Sequence, residues 1–223
     1  PYLHMEMSPF WLECGDIILP PVFHDERFLC EGKYECGSVT LNPGETVFDC
    51  GANIGLFSSY AASKGCSVYA FEPLADQLGH TLKLCSEYNG GHITHVPYAL
   101  SDYVGTTEFN VSHLTQGSSF LADVSSESKN KVIEKVVQVQ VTTIDDFVNI
   151  HNISRVDFIK ADIEGAERHM LRGAEGVLRE FAPKLAICTY HYPDDPQILE
   201  SIIRDANPEY QVVHRWKKLF AYV

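Results

Sequence analysis

The segment Val47-Phe48-Asp49-Cys50-Gly51-Ala52-Asn53-Ile54-Gly55 constrains this chain more than any other. An apolar run leads into it, and Leu56-Phe57-Ser58-Ser59-Tyr60-Ala61-Ala62 leaves it with helical character, so the glycines sit where a strand turns into a helix. Gly51 and Gly55 remove side-chain bulk there, and the N–H groups at the helix start favour a carboxylate or a phosphate. Dinucleotide binding calls for G-x-G-x-x-G, which the segment lacks. Its first polar position is Asp49, whose charge disfavours a nearby pyrophosphate but accepts hydrogen bonds from an ammonium group or from water beside it. Glu72 ends the next expected strand about 20 residues later, where a carboxylate can accept both hydroxyls of an adenosine ribose. With Asn53 in the turn, the polarity suits a methionine-type zwitterion carrying an adenosine.

From residue 46 onward, short β-branched runs alternate with longer segments of helical period, the pattern of a parallel sheet covered by helices. Strands are expected at 46–50, 67–71, 93–97, 156–161 and 184–190. A helix is expected from Pro73 toward Tyr88, ended by Asn89-Gly90-Gly91. A further helix is expected over 194–206, and two closing strands over 211–213 and 217–222. The fold expected is α/β: a Rossmann-like, doubly wound sheet of seven strands, mostly parallel with an antiparallel last strand. Between Ser101 and Gln140 the pattern turns to polar clusters and alternating stretches at 106–111 and 136–141, read as an inserted hairpin or flap. Residues 1–42, rich in aromatics, prolines and cysteines, are expected to pack over the core as an N-terminal cap, with residues 43–223 forming the main domain.

Thirty acidic residues against 17 basic ones give a net charge of −13, which repels phosphate backbones and anionic lipids. Nucleic acid is therefore not expected as a partner, and Arg215, Lys217 and Lys218 read as a solvated basic face. The seven cysteines form no C-x-x-C pair, which argues against a disulfide framework or a zinc site and for structural thiols in a reducing, cytoplasmic setting. His92 and His95 are assigned no metal role. No run reaches the roughly 18 to 20 apolar residues that span a bilayer. The opening at Pro1, without Met, is compatible with a chain that has lost a preceding segment.

VFDCGANIGLFS, AFEP, VPYALSD at 96–102, VTTIDDF at 141–147, VDFIKADIEGAE at 156–167 and TYHYPDD at 189–195 together resemble the FkbM family of class I S-adenosylmethionine-dependent methyltransferases, over about residues 39 to 222. The resemblance implies that Asp49, Gly51 and Asn53 line the methionine side of S-adenosylmethionine, and Gly55 in the same turn is counted with the cofactor-binding residues. It further implies that Glu72 holds the ribose and that Ser101 and Asp102 approach the adenine edge. Asp162 and Glu164, past the end of the fourth strand, are candidates to orient an acceptor or take its proton, whereas Glu167 complements a helix dipole. His191, in YH-x-P, has the titration range of a general base near neutral pH, and Tyr190 and Tyr192 shape the pocket. The expected reaction is in-line O-methylation of a hydroxyl on a small molecule, a sugar or secondary metabolite, with no metal required and His191 or Asp162 receiving the proton. Two other readings are a nucleotide-linked oxidoreductase, disfavoured by Asp49 and the missing third glycine, and a non-catalytic protein that keeps the cofactor fold.

Overall fold

The computed structural model describes residues 12–14, 17–19, 33–53, 55–74, 92–112 and 133–223. In chain order the elements are β1 (Leu12–Cys14), β2 (Ile17–Leu19), β3 (Thr46–Cys50), α1 (Leu56–Ser63), β4 (Ser67–Phe71), β5 (Ile93–Val96), β6 (Ala99–Leu100), β7 (Gly105–Ser112) and β8 (Ile133–Thr142). Then follow α2 (Ile144–Ile150), β9 (Phe158–Ala161), α3 (Glu167–Arg172), α4 (Glu175–Glu180), β10 (Lys184–Cys188), α5 (Asp195–Ala206), β11 (Gln211–Arg215) and β12 (Lys218–Tyr222). The helix expected from Pro73 toward Tyr88 falls largely outside the described residues.

Seven strands form the main sheet in the order β11-β12-β10-β9-β3-β4-β5. All neighbours from β10 to β5 run parallel, and β12 is antiparallel to both β10 and β11. The sheet is the mostly parallel, doubly wound one that the alternating pattern implies, with the last strand reversed. Strand order turns back at β3, which has β9 on one side and β4 on the other. Such a switch point opens a crevice beyond the carboxyl ends of the strands, where open α/β sheets bind ligands.

Alternation of side chains fills both faces. Phe48 and Cys50 of β3, Phe71 of β4, Ile159 and Ala161 of β9, and Leu185 and Ile187 of β10 join Phe147, Met170, Leu178 and Ile203 from the helices in one core. Val47, Val68, Ala70, Phe158, Ala186 and Cys188 point the other way and pack on Phe57, Tyr60 and Ala61 of α1. Tyr34, Val39 and Leu41, from the segment before β3, complete this second core. Asp49 and Lys160 fall on the same alternating face as Val47 and Phe158, so both charges are carried into the interior under α1.

The alternating stretches at 106–111 and 136–141 form the antiparallel pair β7–β8, and β6 adds to β8 in a three-stranded sheet separate from the main one. Short helices are fixed by their ends. Thr143 caps α2 by accepting the Asp146 N–H at 2.9 Å, and Asp145 accepts from Gly176 and Val177 at the start of α4. Arg168 of α3 pairs with Asp194 and with buried Asp195 at the start of α5. Cys36, Cys50, Cys66 and Cys188 are free thiols. No helix among the described residues is long and apolar enough to cross a membrane.

Candidate active site

The turn after β3 is held against the end of β4. Gly51 and Ala52 both donate to the Phe71 carbonyl at 3.0 Å. Glu72, buried at 7% exposure, accepts the Asn53 N–H at 3.1 Å through one oxygen and the Leu74 N–H at 3.0 Å through the other. Burial pushes its carboxyl above the usual range. Asn53 adopts a left-handed φ of 50°, and its side-chain oxygen is buried without a hydrogen-bond partner in the protein. A buried acceptor left unmatched costs about 1–3 kcal/mol, so its retention points to a ligand donor. Gly55, at φ 82°, starts α1 with no side-chain cap, so the first N–H groups of that helix remain available to an anion.

Asp49 is fully buried. Its Oδ2 accepts from Ser58 at 2.6 Å, and its Oδ1 lies 3.0 Å from Lys160 Nζ. Asp49 and Lys160 are register partners on adjacent strands, and Lys160 also donates to the Gly51 carbonyl at 2.8 Å. The ammonium beside Asp49 is thus the protein's own. Gly51 was expected to clear space for a ligand; instead a Cβ there would lie 2.1 Å from the Asp162 carbonyl oxygen. Its missing side chain makes room for the β9 loop.

Beyond β9 the chain reverses through Asp162, Ile163, Glu164 and Gly165. Glu164 is left-handed at φ 57° and Gly165 at φ 100°. A non-glycine residue in that region costs on the order of 1–2 kcal/mol, and strain of this kind gathers at functional sites. The turn ends the alternation that would have put Lys160, Asp162 and Glu164 on one side: Lys160 goes inward to Asp49, and the two acids go to the crevice. Asp162 accepts from the Tyr190 hydroxyl at 2.8 and 2.9 Å and from Tyr34 at 3.4 Å. Burial pushes its carboxyl above the usual value, against the cations of Lys160 and His191.

His191, only 4% exposed, stands among three carboxylates. Nε2 lies 3.6 Å from Asp162 and 3.9 Å from Glu164, while Nδ1 lies 3.3 Å from Glu167. Neither nitrogen is aligned for a hydrogen bond. Burial alone would pull the imidazole down; the facing carboxylates, Glu167 foremost, outweigh it and hold the group at about 9. The facing carboxylates thus favour the protonated ring, which sets this imidazole apart from the free, neutral-range base expected from the sequence. Glu167 is also more than a helix-dipole residue. It is fully buried, accepts the Ile163 N–H at 2.8 Å and faces the imidazole. A Glu in the first turn after a strained, glycine-containing loop is the sequence signal that could have marked it. Tyr34, with no motif around it, had no such signal.

Ser101 and Asp102 are placed differently. Ser101 is buried and its N–H donates to Thr142, while Asp102 reaches His169 of α3 at 3.0 Å, which holds its carboxyl below the usual range. Their contacts are with β8 and α3 rather than with the turn that holds Asn53 and Glu72.

A switch-point crevice with an acidic glycine turn on one side, a carboxylate ending the next strand, and a polar loop after the fourth defines the Rossmann-like methyltransferase class. The methyltransferase FkbM domain matches residues 49–210, and the chain belongs to that family. The hexuronic acid methyltransferase AglP of Haloferax volcanii is 24% identical over 73% of this chain and 62% of its own. The 31-O-demethyl-FK506 methyltransferase FkbM of Streptomyces tacrolimicus is 25% identical over 69% of this chain and 66% of its own. The solved structure of methyltransferase FkbM from Methylobacillus flagellatus superposes with a TM-score of 0.58 and 25% identity, over 82% of this chain and 44% of that one. The chain thus spans less than half of that solved relative.

Proposed function

We propose that the chain transfers the methyl group of S-adenosylmethionine to a hydroxyl of a small molecule, a sugar or a secondary metabolite, in the crevice between the β3 and β9 loops. The observation that carries this reading is the buried, unmatched Asn53 oxygen beside the Glu72 carboxylate at the open start of α1. A donor zwitterion matches these groups in sign: an ammonium for the Asn53 oxygen, a carboxylate for the helix N–H groups, and ribose hydroxyls for the free lone pairs of Glu72. S-adenosylmethionine would supply an electrophilic methyl on its sulfonium.

Asp49 and Lys160 hold the turn rigid rather than touching the donor. The adenine role of Ser101 and Asp102 rests on motif order in the family. Asp162, Glu164 and His191 handle the acceptor. Asp162, whose proton affinity burial raises, takes the hydroxyl proton; His191, kept cationic, offsets the negative charge; and Glu164 orients the acceptor. Alignment of acceptor and donor with water excluded supplies most of the rate. The sheet of β6, β7 and β8 and the segment before residue 43 are the parts assigned to selecting the acceptor. The names of two relatives, a hexuronic acid methyltransferase and a 31-O-demethyl-FK506 methyltransferase, support a small-molecule acceptor. The free buried thiols favour a reducing compartment such as the cytosol.

Calorimetry with S-adenosylmethionine and with NAD tests the cofactor: binding of the first and not the second is expected, and the reverse overturns the reading. Asp162→Asn is expected to keep donor binding and to lose methyl transfer in a screen of sugar and secondary-metabolite hydroxyls. Unchanged turnover in that variant removes Asp162 from the proton step.

A further inference from the structure

We propose that Asp162, Glu167 and His191 bind a divalent first-row transition-metal ion. One donor atom from each lies within 4.8 Å of the others. Metal bonds of about 2.1 Å require donors about 3.0 to 4.2 Å apart, a contraction that small side-chain rotations supply. The second observation is independent of the clustering. Both ring nitrogens of His191 and the Oε2 of Glu167 are buried without a hydrogen-bond partner, in side chains only 3% and 1% exposed.

Charge points the same way. Asp162, Glu164 and Glu167 bring three carboxylates to one imidazole, and the cation nearest to them along β9, Lys160, is committed to Asp49. Asp162 and Glu167 alone leave one net negative charge beside a protonated His191 in a largely buried nest, which is costly unless a cation or hydrogen bonds answer it. A divalent ion in place of the imidazole proton answers it more fully, and when bound it would supply the positive charge that the imidazolium supplies in its absence. Two carboxylates and an imidazole favour an ion such as Mn2+ or Zn2+ over the all-oxygen preferences of Mg2+ and Ca2+. An outer layer already orients the donors: Tyr190 donates to both oxygens of Asp162, and Ile163 N–H to Glu167. Three protein donors leave positions open, and an acceptor hydroxyl placed on one of them would be acidified. That last consequence rests on the methyl-transfer reading, whereas the ion site does not.

The test is made on the 223-residue chain, freed of metal by a chelator and without any methyl donor, so a failed methyl-transfer reading leaves it intact. Free Mn2+ is followed by electron paramagnetic resonance during titration. One ion per chain is expected. Binding is expected to weaken by at least about 10- to 100-fold in Glu167→Gln and in His191→Asn, and to be unchanged in Glu175→Gln on the surface of α4. In the unaltered chain, bound Mn2+ is expected to broaden the His191 ring resonances in nuclear magnetic resonance spectra, a readout that needs no variant to fold. The proposal is overturned if the unaltered chain binds no ion at about millimolar Mn2+. It is equally overturned if the His191 resonances stay sharp, or if folded Glu167→Gln binds as tightly as the unaltered chain.

Discussion

Gly51→Ala offers the most informative single perturbation, because its two costs can be measured apart. One is backbone: at φ 78° an L-residue loses on the order of 1–2 kcal/mol relative to glycine. The other is steric: the new Cβ would meet the Asp162 carbonyl oxygen at 2.1 Å and the Ile163 side chain at 3.0 Å. Relieving such a contact moves backbone by about 1 Å, and overpacking of this kind costs about 1–3 kcal/mol. The sum is roughly 2–5 kcal/mol. Two other glycines isolate the parts. Gly44, at φ 83°, has nothing within 4 Å of its Cβ position, so Gly44→Ala should show the backbone term alone, about 1–2 kcal/mol. Gly173, at φ −75°, would place a Cβ 2.1 Å from the Ser101 carbonyl oxygen, so Gly173→Ala should show the steric term alone, about 1–3 kcal/mol. Urea unfolding of the three variants supplies the numbers, provided each transition is two-state. Gly51→Ala should also lose methyl transfer, since the displaced carbonyl belongs to the loop that carries Asp162. The reasoning is refuted if Gly51→Ala costs no more than Gly44→Ala.

Lys160→Met should destabilise by about 3–5 kcal/mol by stranding the Asp49 charge; adding Asp49→Asn should recover part of that, and a denaturant double-mutant cycle measures the coupling. Glu72→Ala leaves the Asn53 and Leu74 N–H groups unmatched, so a loss of about 1–3 kcal/mol per group should accompany weaker donor binding by calorimetry. Glu35 is held below the usual carboxylate value although burial opposes this, because it accepts from Tyr60, the Leu41 N–H and Lys64. Its lowered value means that the ionised form stabilises the fold above the ordinary glutamate pKa and that this contribution disappears as pH falls through the folded value. Glu35→Gln should therefore be less stable than the parent at neutral pH and converge on it in acid, as read by urea midpoints at a series of pH values.

The central sheet was legible because its two faces are both buried, so β3, β4, β9 and β10 appear as apolar runs bounded by turns, and α5 carries a clear 3.6-residue period. The strands 46–50 and 67–71 coincide with the observed ones, and the others differ by a residue or two at their ends, where pairing rather than composition decides. The site was less legible. Asp49 and Glu72 could be assigned to the turn, but nothing local revealed that Asp49 is answered by Lys160, because that pairing depends on β9 lying beside β3 in register. The role of Glu167 was hidden for the same reason: its partner His191 arrives from the end of β10. The upward push on the His191 imidazole comes from three carboxylates brought from one loop and one helix start, and no sequence spacing displays it.

On the proposed methyl-transfer reading, the contacts between the β3 and β9 loops would tie the donor side of the crevice to the acceptor side. Lys160 donates to the Gly51 carbonyl and pairs with Asp49, and Gly51 in turn abuts the Asp162 carbonyl. The β3 turn and the β9 loop are thus joined by backbone packing and by a buried side-chain ion pair. In-line transfer tolerates little misplacement, and an error of about 1 Å can cost about 100-fold in rate, so the join fixes the coordinate along which donor and acceptor must meet. The β6–β8 sheet lies outside this lock. Under the proposed reaction, substitutions in that sheet are expected to alter acceptor preference without disturbing the register between Asp49 and Lys160, as read by stability and turnover on a panel of hydroxyl acceptors.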